Sequence, residues 1–239
     1  MSFASSTRSG LLLAALVFAL AGAAPVAAGS IGLNQGMGGF QVRVPIRSIK
    51  EARFHRVVKQ EHDFSCGSAA LATLLSFHYD QPIGEAAIFT EMYKVGDQER
   101  IQKYGFSLLD MKQYLATHNL RSDGFKVELQ RFAEIGVPAI TLIETSGYKH
   151  FVVVKGVKGD RILVGDPARG TRTIPTDKFA SLWNGIAFVI RDKAGVGKSH
   201  FNEDEDWSVM AAAPFGTALS RQSLSSFSVH LKGTMSNTF

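Results

Sequence analysis

Residues 60–78 read Gln60-Glu61-His62-Asp63-Phe64-Ser65-Cys66-Gly67-Ser68-Ala69-Ala70-Leu71-Ala72-Thr73-Leu74-Leu75-Ser76-Phe77-His78. Cys66 is the only cysteine in 239 residues. It stands where a helix should begin. Ser65 is a favourable N-cap, and Ala69, Ala70, Leu71, Ala72, Leu74 and Leu75 are good helix formers that carry an apolar stripe. A thiol in a first helical turn meets the positive end of the macrodipole and unpaired backbone N–H groups, and both favour negative charge on sulfur. Gln60, six residues upstream, is close enough in chain for its amide to reach the same spot. One local segment can thus supply a nucleophile and an oxyanion donor. Taken alone, a cysteine beside a helix is more often a small buried apolar residue, so the rest of the chain has to decide.

The composition, 45% hydrophobic and 20% charged, is that of a globular protein. The length suits one domain of about 150 residues with terminal extensions. The formal charge is +5, and the basic residues are spread without a run or stripe. That reads as a solvated surface and not as a nucleic-acid footprint.

The N-terminus reads as a secretory signal over residues 1–28. Arg8 supplies a positive start, residues 11–23 an apolar run, and Val26-Ala27-Ala28 small residues before a cut ahead of Gly29. An uncleaved membrane anchor is the alternative, but the run is short for a span of roughly 20 residues. Export, here to the periplasm, sharpens the meaning of Cys66. An oxidising compartment usually pairs cysteines, and a single one has no partner in its own chain. A free thiol retained there favours a chemical role. It also makes a cysteine-based zinc cluster a poor reading.

Residues 29–44 are read as a flexible, glycine-rich segment, with alternation over residues 40–46 that suits a short strand interrupted by Pro45. The domain is expected over residues 45–194. After the Cys66 helix, a turn at Pro82-Ile83-Gly84 leads to a helix from Glu85 to Tyr93. Ser107 and Asp110 have capping-box spacing for a third helix, and residues 129–135 suit a fourth. The character then changes to strands over residues 138–143, 150–154, 161–164, 171–174 and 186–190, with Thr176 as cap of a short helix at 177–183. Helices first and an antiparallel meander afterwards argue α+β, with the nucleophile helix packed on the sheet. Residues 195–239 show no strong period and read as a mobile tail.

A thiol nucleophile needs a base, and the base needs a third group to fix its tautomer. Of the seven histidines, His62 lies in the loop before Cys66, His78 at the far end of its helix and His118 after another helix. His150 differs because it opens the apolar run His150-Phe151-Val152-Val153-Val154. Asp166 ends the next strand. A hairpin turning near Gly159 would set His150 and Asp166 opposite each other at the open ends of paired strands. An aspartate before proline is also a common turn former, but pairing and register together favour a His–Asp pair.

The order Gln60, Cys66-Gly67, Lys149-His150-Phe151-Val152-Val153-Val154 and Gly165-Asp166-Pro167 resembles the bacteriocin-processing, double-glycine cysteine peptidases, family thirty-nine of the papain-like clan. The likeness spans about residues 45–191 and includes Gly105-Phe106-Ser107-Leu108-Leu109-Asp110-Met111 and Leu182-Trp183-Asn184-Gly185. It is strongest to the stand-alone exported members that accompany bacterial functional amyloid systems. The resemblance implies a papain-like fold, with Cys66 as nucleophile, His150 as base and Asp166 as its orienter. Gln60 would complete the oxyanion hole with the Cys66 backbone N–H. It also implies hydrolysis after small residues such as Gly-Gly in a secreted protein or peptide, an amyloid subunit or leader-bearing peptide among the candidates, and a secretion-system partner. No cofactor, ATP or nucleic acid is implied.

Two departures matter. Many family members are fused to transmembrane and nucleotide-binding domains, and neither is expected here, so transport is not the expected activity. Those fused peptidase domains face the cytoplasm, whereas the export signal here implies substrates met outside the inner membrane. Ala194-Gly195-Val196-Gly197-Lys198-Ser199 imitates the end of a phosphate-binding loop, but the required first glycine falls on Asp192. His62, Asp63 and Cys66 lack a familiar metal-ligand spacing. Gly38-Gly39 is a candidate self-processing site. The rival to a peptidase is an idle, peptidase-like binding or accessory module of a secretion system, against which the intact Cys, His, Asp and Gln set argues.

Overall fold

The computed structural model describes residues 30–33, 42–45 and 48–211. The signal sequence, Gly38-Gly39 and residues 212–239 lie outside the described residues. The chain forms two units, residues 1–47 and 48–239. In the first, β1 (Ser30–Leu33) pairs antiparallel with β2 (Val42–Pro45). The strand expected around residues 40–46 is present, and part of the segment read as loose linker is its partner.

The second unit opens with α1 (Ile49–Arg53), α2 (Cys66–His78), α3 (Glu85–Val95), α4 (Gln98–Tyr104) and α5 (Leu108–Thr117). It continues with β3 (Ser122–Lys126), α6 (Leu129–Ile135), β4 (Ala139–Thr145), β5 (Tyr148–Lys158), β6 (Arg161–Asp166) and β7 (Gly170–Pro175). α7 (Thr176–Leu182), β8 (Trp183–Ile190), α8 (Ala194–Ser199) and α9 (Asp204–Ala211) complete it. The architecture is α+β, with the Cys66 helix packed on an antiparallel sheet, as a papain-like fold requires.

The strands run in the order β3-β8-β4-β5-β6-β7. The meander β4 to β7 matches the sequence pattern. β8 does not close an edge: it inserts between β4 and β3. β3 itself escaped the sequence reading because Ser-Asp-Gly-Phe-Lys buries only its first residue fully and lacks apolar alternation. Its ladder to β8 holds it in place. The Ser107–Asp110 capping box forms at α5 as the spacing predicts. Thr176 begins α7 without capping it.

The sheet separates two cores. Phe151 and Val153 face α2, whose Leu71, Leu74 and Leu75 are buried with them. Val152, Val154, Ile162 and Val164 face the other way, toward Phe179 of α7. α2 was expected to carry an apolar stripe, yet residues 66–75 are buried on every side. A helix apolar all round belongs in a core, and its polar members are satisfied there: Thr73 Oγ1 donates to Ala69 O, and Ser68 Oγ to Glu85.

The domain does not end at residue 194. The segment read as a mobile tail is packed through α8 and into α9. Gly197 lies against the Tyr79 ring, His78 Nδ1 is 3.0 Å from His200 O, and Asp206 is buried against Lys155. The sequence period is weak there because the docking is polar and uses isolated residues.

Candidate active site

The loop before α2 is shaped by its own polar groups. Ser65 stands at the N-cap position but does not cap the helix. Its Oγ donates to His62 O and accepts from His62 N. The N–H groups of the first helical turn therefore remain without a side-chain cap, and such uncapped groups suit a developing anion. Gly67 follows because there is no room for a side chain: a Cβ there would stand 2.9 Å from both Met111 Cε and Phe106 Cβ.

Gln60 is half-buried beside this loop. Its backbone N–H donates to Pro167 O at 3.0 Å, which ties the loop to the turn after Asp166. Its side-chain Nε2 donates to His62 O at 2.9 Å and makes a long approach, 3.5 Å, to Asp63 O. One amide N–H thus anchors the loop, and the second is weakly engaged.

His150 and Asp166 meet directly: Nε2 and Oδ1 are 2.8 Å apart, with the carboxylate fully buried and the ring nearly so. They are not opposite each other in the ladder, as the sequence register implied. The turn side of the β5–β6 hairpin pairs Lys158 with Arg161, Val157 with Ile162 and Gly156 with Leu163. The register then slips, and the open side pairs Val154 with Val164 and Val153 with Gly165. Lys155 is the extra residue of a β-bulge. Continued outward, the slipped register sets Asp166 across from Val152, and His150 lies two residues further on the same face. Val157 shares the core that holds Val152 and Val154, as a one-residue insertion demands. Without the bulge, Asp166 would oppose Val153, and the two side chains would leave the sheet on opposite faces.

Asp166 is held on all sides. Oδ1 also accepts from the backbone N–H groups of Ala168 at 3.0 Å and Arg169 at 3.2 Å, and Oδ2 from Arg172 Nε at 3.0 Å. Burial raises its carboxyl pKa, but the His150 hydrogen bond and charge, with Arg172, hold it below 3.8. For His150, burial opposes protonation. The Asp166 carboxylate and the Cys66 sulfur outweigh it, and the ring is pushed up to about 9. Because Nε2 is committed to Asp166, Nδ1 is the nitrogen left for exchange with the thiol. It is buried and has no other partner.

Cys66 is 6% exposed and lines a cleft of about 620 Å³ with Asp63, Phe64, Tyr104, Gly105 and Tyr148. Tyr148 escaped the sequence reading, though it lies two residues before His150 and so on its face of the strand. Its ring stacks on the imidazole, and its hydroxyl donates to Asp63 O at 3.1 Å. Arg172 was also missed, because its place beside Asp166 depends on the β6–β7 register. The structure therefore joins His150 to Asp166, sets the ring near enough to the Cys66 sulfur for that sulfur to raise its pKa, and leaves Gln60 bonded within the loop before Cys66. His62 stacks with Phe64 and Phe89.

Comparison with known proteins identifies the family. The profile of the Peptidase C39 family matches residues 55–195. A relative described as "Probable functional amyloid protease FapD" from Pseudomonas aeruginosa is 41% identical over 163 residues, covering 68% of this chain and 72% of the relative. Its namesake from Pseudomonas fluorescens is 38% identical over 175 residues, covering 73% and 76%. Among solved structures, the peptidase domain of Streptococcus ComA, a bifunctional ABC transporter of a quorum-sensing pathway, aligns with a TM-score of 0.49 at 21% identity. That alignment covers 56% of this chain and 96% of the domain.

Proposed function

This chain belongs to the Peptidase C39 family of cysteine peptidases, and we propose that it is an exported endopeptidase that cuts a secreted protein or peptide after small residues such as Gly-Gly. The Cys66 thiol passes its proton to His150 Nδ1, the thiolate attacks the scissile carbonyl, and the tetrahedral intermediate collapses to a thioester. The proton on His150 passes to the leaving amine. The ring, now neutral, takes a proton from water, which hydrolyses the thioester and restores the thiol. Asp166 holds the ring in its working tautomer. The oxyanion is met by the Cys66 backbone N–H and by the weakly engaged N–H of Gln60.

The observation that carries this reading is the 2.8 Å contact of His150 Nε2 with a fully buried Asp166, which leaves Nδ1 to Cys66 at the uncapped start of α2. The signal-like residues 1–28 support action in the periplasm. The Pseudomonas relatives, described as functional amyloid proteases, support a substrate or partner within a functional amyloid system.

The test is cleavage of co-secreted proteins and Gly-Gly peptides by wild type and by Cys66→Ala, with mass spectrometry of the products. Products that end in a small residue and vanish with Cys66→Ala are expected. Intact substrates in both, together with an unreactive thiol, would overturn hydrolysis and leave the binding-module reading. N-terminal sequencing of the cell-envelope protein should find Gly29; an intact N-terminus in the membrane fraction would replace export with anchoring.

A further inference from the structure

The bulge that brings His150 to Asp166 is held from outside the sheet. The ladder of β4 to β5 ends where Ala139 meets Val154. From Lys155 onward no strand among the described residues lies along this edge of β5, and Asn202 takes the place. Its backbone N–H donates to Lys155 O at 2.9 Å, and its Oδ1 accepts from Val157 N at 2.7 Å. Asn202 thus brackets Gly156 as a paired strand would. The approach is so close that a Cβ on Gly156 would lie 2.2 Å from Asn202 Oδ1. Asn202 has φ 65°, a left-handed conformation that asparagine tolerates.

The bulged side chain is held as well. The stem of Lys155 passes Gly165, and its ammonium donates to Asp206 of α9 and to Arg56 O. His200 anchors the same segment, bonded to Glu203 and 3.2 Å from Asp80 just past the end of α2. Residues 200–206 therefore touch both the strand that carries His150 and the far end of the helix that carries Cys66.

We infer that residues 200–206, which lie beyond the stretch matched by the family profile, are a clasp that keeps the Lys155 bulge in place and so holds His150 on the face of Asp166, with Asn202 as its positioning residue. The physical reason is parity. A bulge that smooths out shifts the outer register by one residue and carries every outward side chain of β5 to the other face relative to β6. The inference rests on His150 and Asp166 being the working pair, but the ring can be read without turnover.

Two substitutions in the full chain attack the contact from opposite sides. Asn202→Gly keeps the left-handed backbone and removes Oδ1, whereas Gly156→Ala leaves Asn202 intact and pushes it away. Asn202→Asp, which keeps the acceptor, is the rescue. Nitrogen-detected NMR of the His150 ring gives its titration and its Nε2–H proton, alongside thermal melting. In folded Asn202→Gly and Gly156→Ala, the ring titration should fall by about one pH unit or more, toward that of an unpaired histidine. The low-field proton should be lost, with both restored in Asn202→Asp. An unchanged titration in a folded variant would overturn the inference, and so would failure of both to fold, since the contact would then support the whole domain. A normal ring in a wild type that cuts nothing would sink the peptidase reading and leave the clasp standing.

Discussion

His150 and Asp166 are neighbours on a diagonal: the carboxylate sits across from Val152, two positions along β5 from the histidine, and the Lys155 bulge puts both on one face. Their contact is a product of an irregularity in the sheet. Its consequences can be tested residue by residue.

Asp166→Asn should leave a folded protein whose imidazole no longer has a fixed tautomer or a stabilised positive charge. Peptide turnover should fall by about a hundredfold to ten-thousandfold. The free Cys66 thiol should still react with an alkylating probe. Turnover within a few-fold of wild type would show that Asp166 only closes the turn before Pro167.

The pair also makes stability depend on pH. His150 is raised from 6.5 to about 9, so its contribution is complete below pH 6.5 and is lost as the pH rises through about 9. Asp166 is lowered from 3.8, so its contribution is present above pH 3.8 and disappears on further acidification. The difference in urea midpoint between wild type and His150→Ala should therefore be largest between those limits and shrink above about pH 10 to the part that comes from packing of the buried ring. Turnover should decline above about pH 9 as the ring loses the proton that the leaving amine needs. A difference that persists undiminished at high pH would contradict the assignment of the shift to His150.

Gln60→Ala removes a loop anchor and a donor together. Loss of one oxyanion donor costs on the order of 10²–10³ in kcat. A loop displacement would show mainly in KM. The fall is expected in kcat with KM little changed; the reverse would mean that Gln60 acts only through its 2.9 Å bond to His62 O.

Asp206→Ala leaves the fully buried Lys155 ammonium facing only Arg56 O. Breaking a buried ion pair from one side costs about 3–5 kcal/mol. Replacing both, with Lys155→Met and Asp206→Leu, should recover most of that loss, because no fully buried charge is then stranded and Arg56, which also loses Asp206, keeps Glu203 and Glu205. Urea denaturation of the single and double variants measures it. A single variant as stable as wild type would mean that water reaches the ammonium.

Gly67→Ala brings a methyl group within 2.9 Å of Phe106 Cβ and Met111 Cε. Overpacking of this kind costs about 1–3 kcal/mol. It would also shift the first turn of α2, so the melting temperature and Cys66 alkylation should both drop. A protein unchanged in both would show that Met111 swings aside.

Much of this molecule is written locally. The lone cysteine at a helix start, the capping box at Ser107, and the apolar runs of β4, β5, β6 and β8 depend on neighbours within a few positions, where propensity and period act. They suffice for α+β, for a helix that begins at Cys66 and packs on the sheet, and for naming His150 and Asp166 as a candidate pair. What the chain could not disclose depends on partners far apart in sequence. β3 exists because β8 pairs with it, and β8 lies inside the sheet because β3 takes the edge. Ser65 turns back to His62 and leaves the helix start open. Lys155 reads as an ordinary polar residue before a turn, yet it is buried because Asp206, 51 positions later, is there to meet it. A hairpin read from sequence assumes an unbroken ladder, and one extra residue reverses which side chains share a face. The sequence by itself determined which residues could do the chemistry; the tertiary structure decided, through the bulge and the segment docked on it, that they meet.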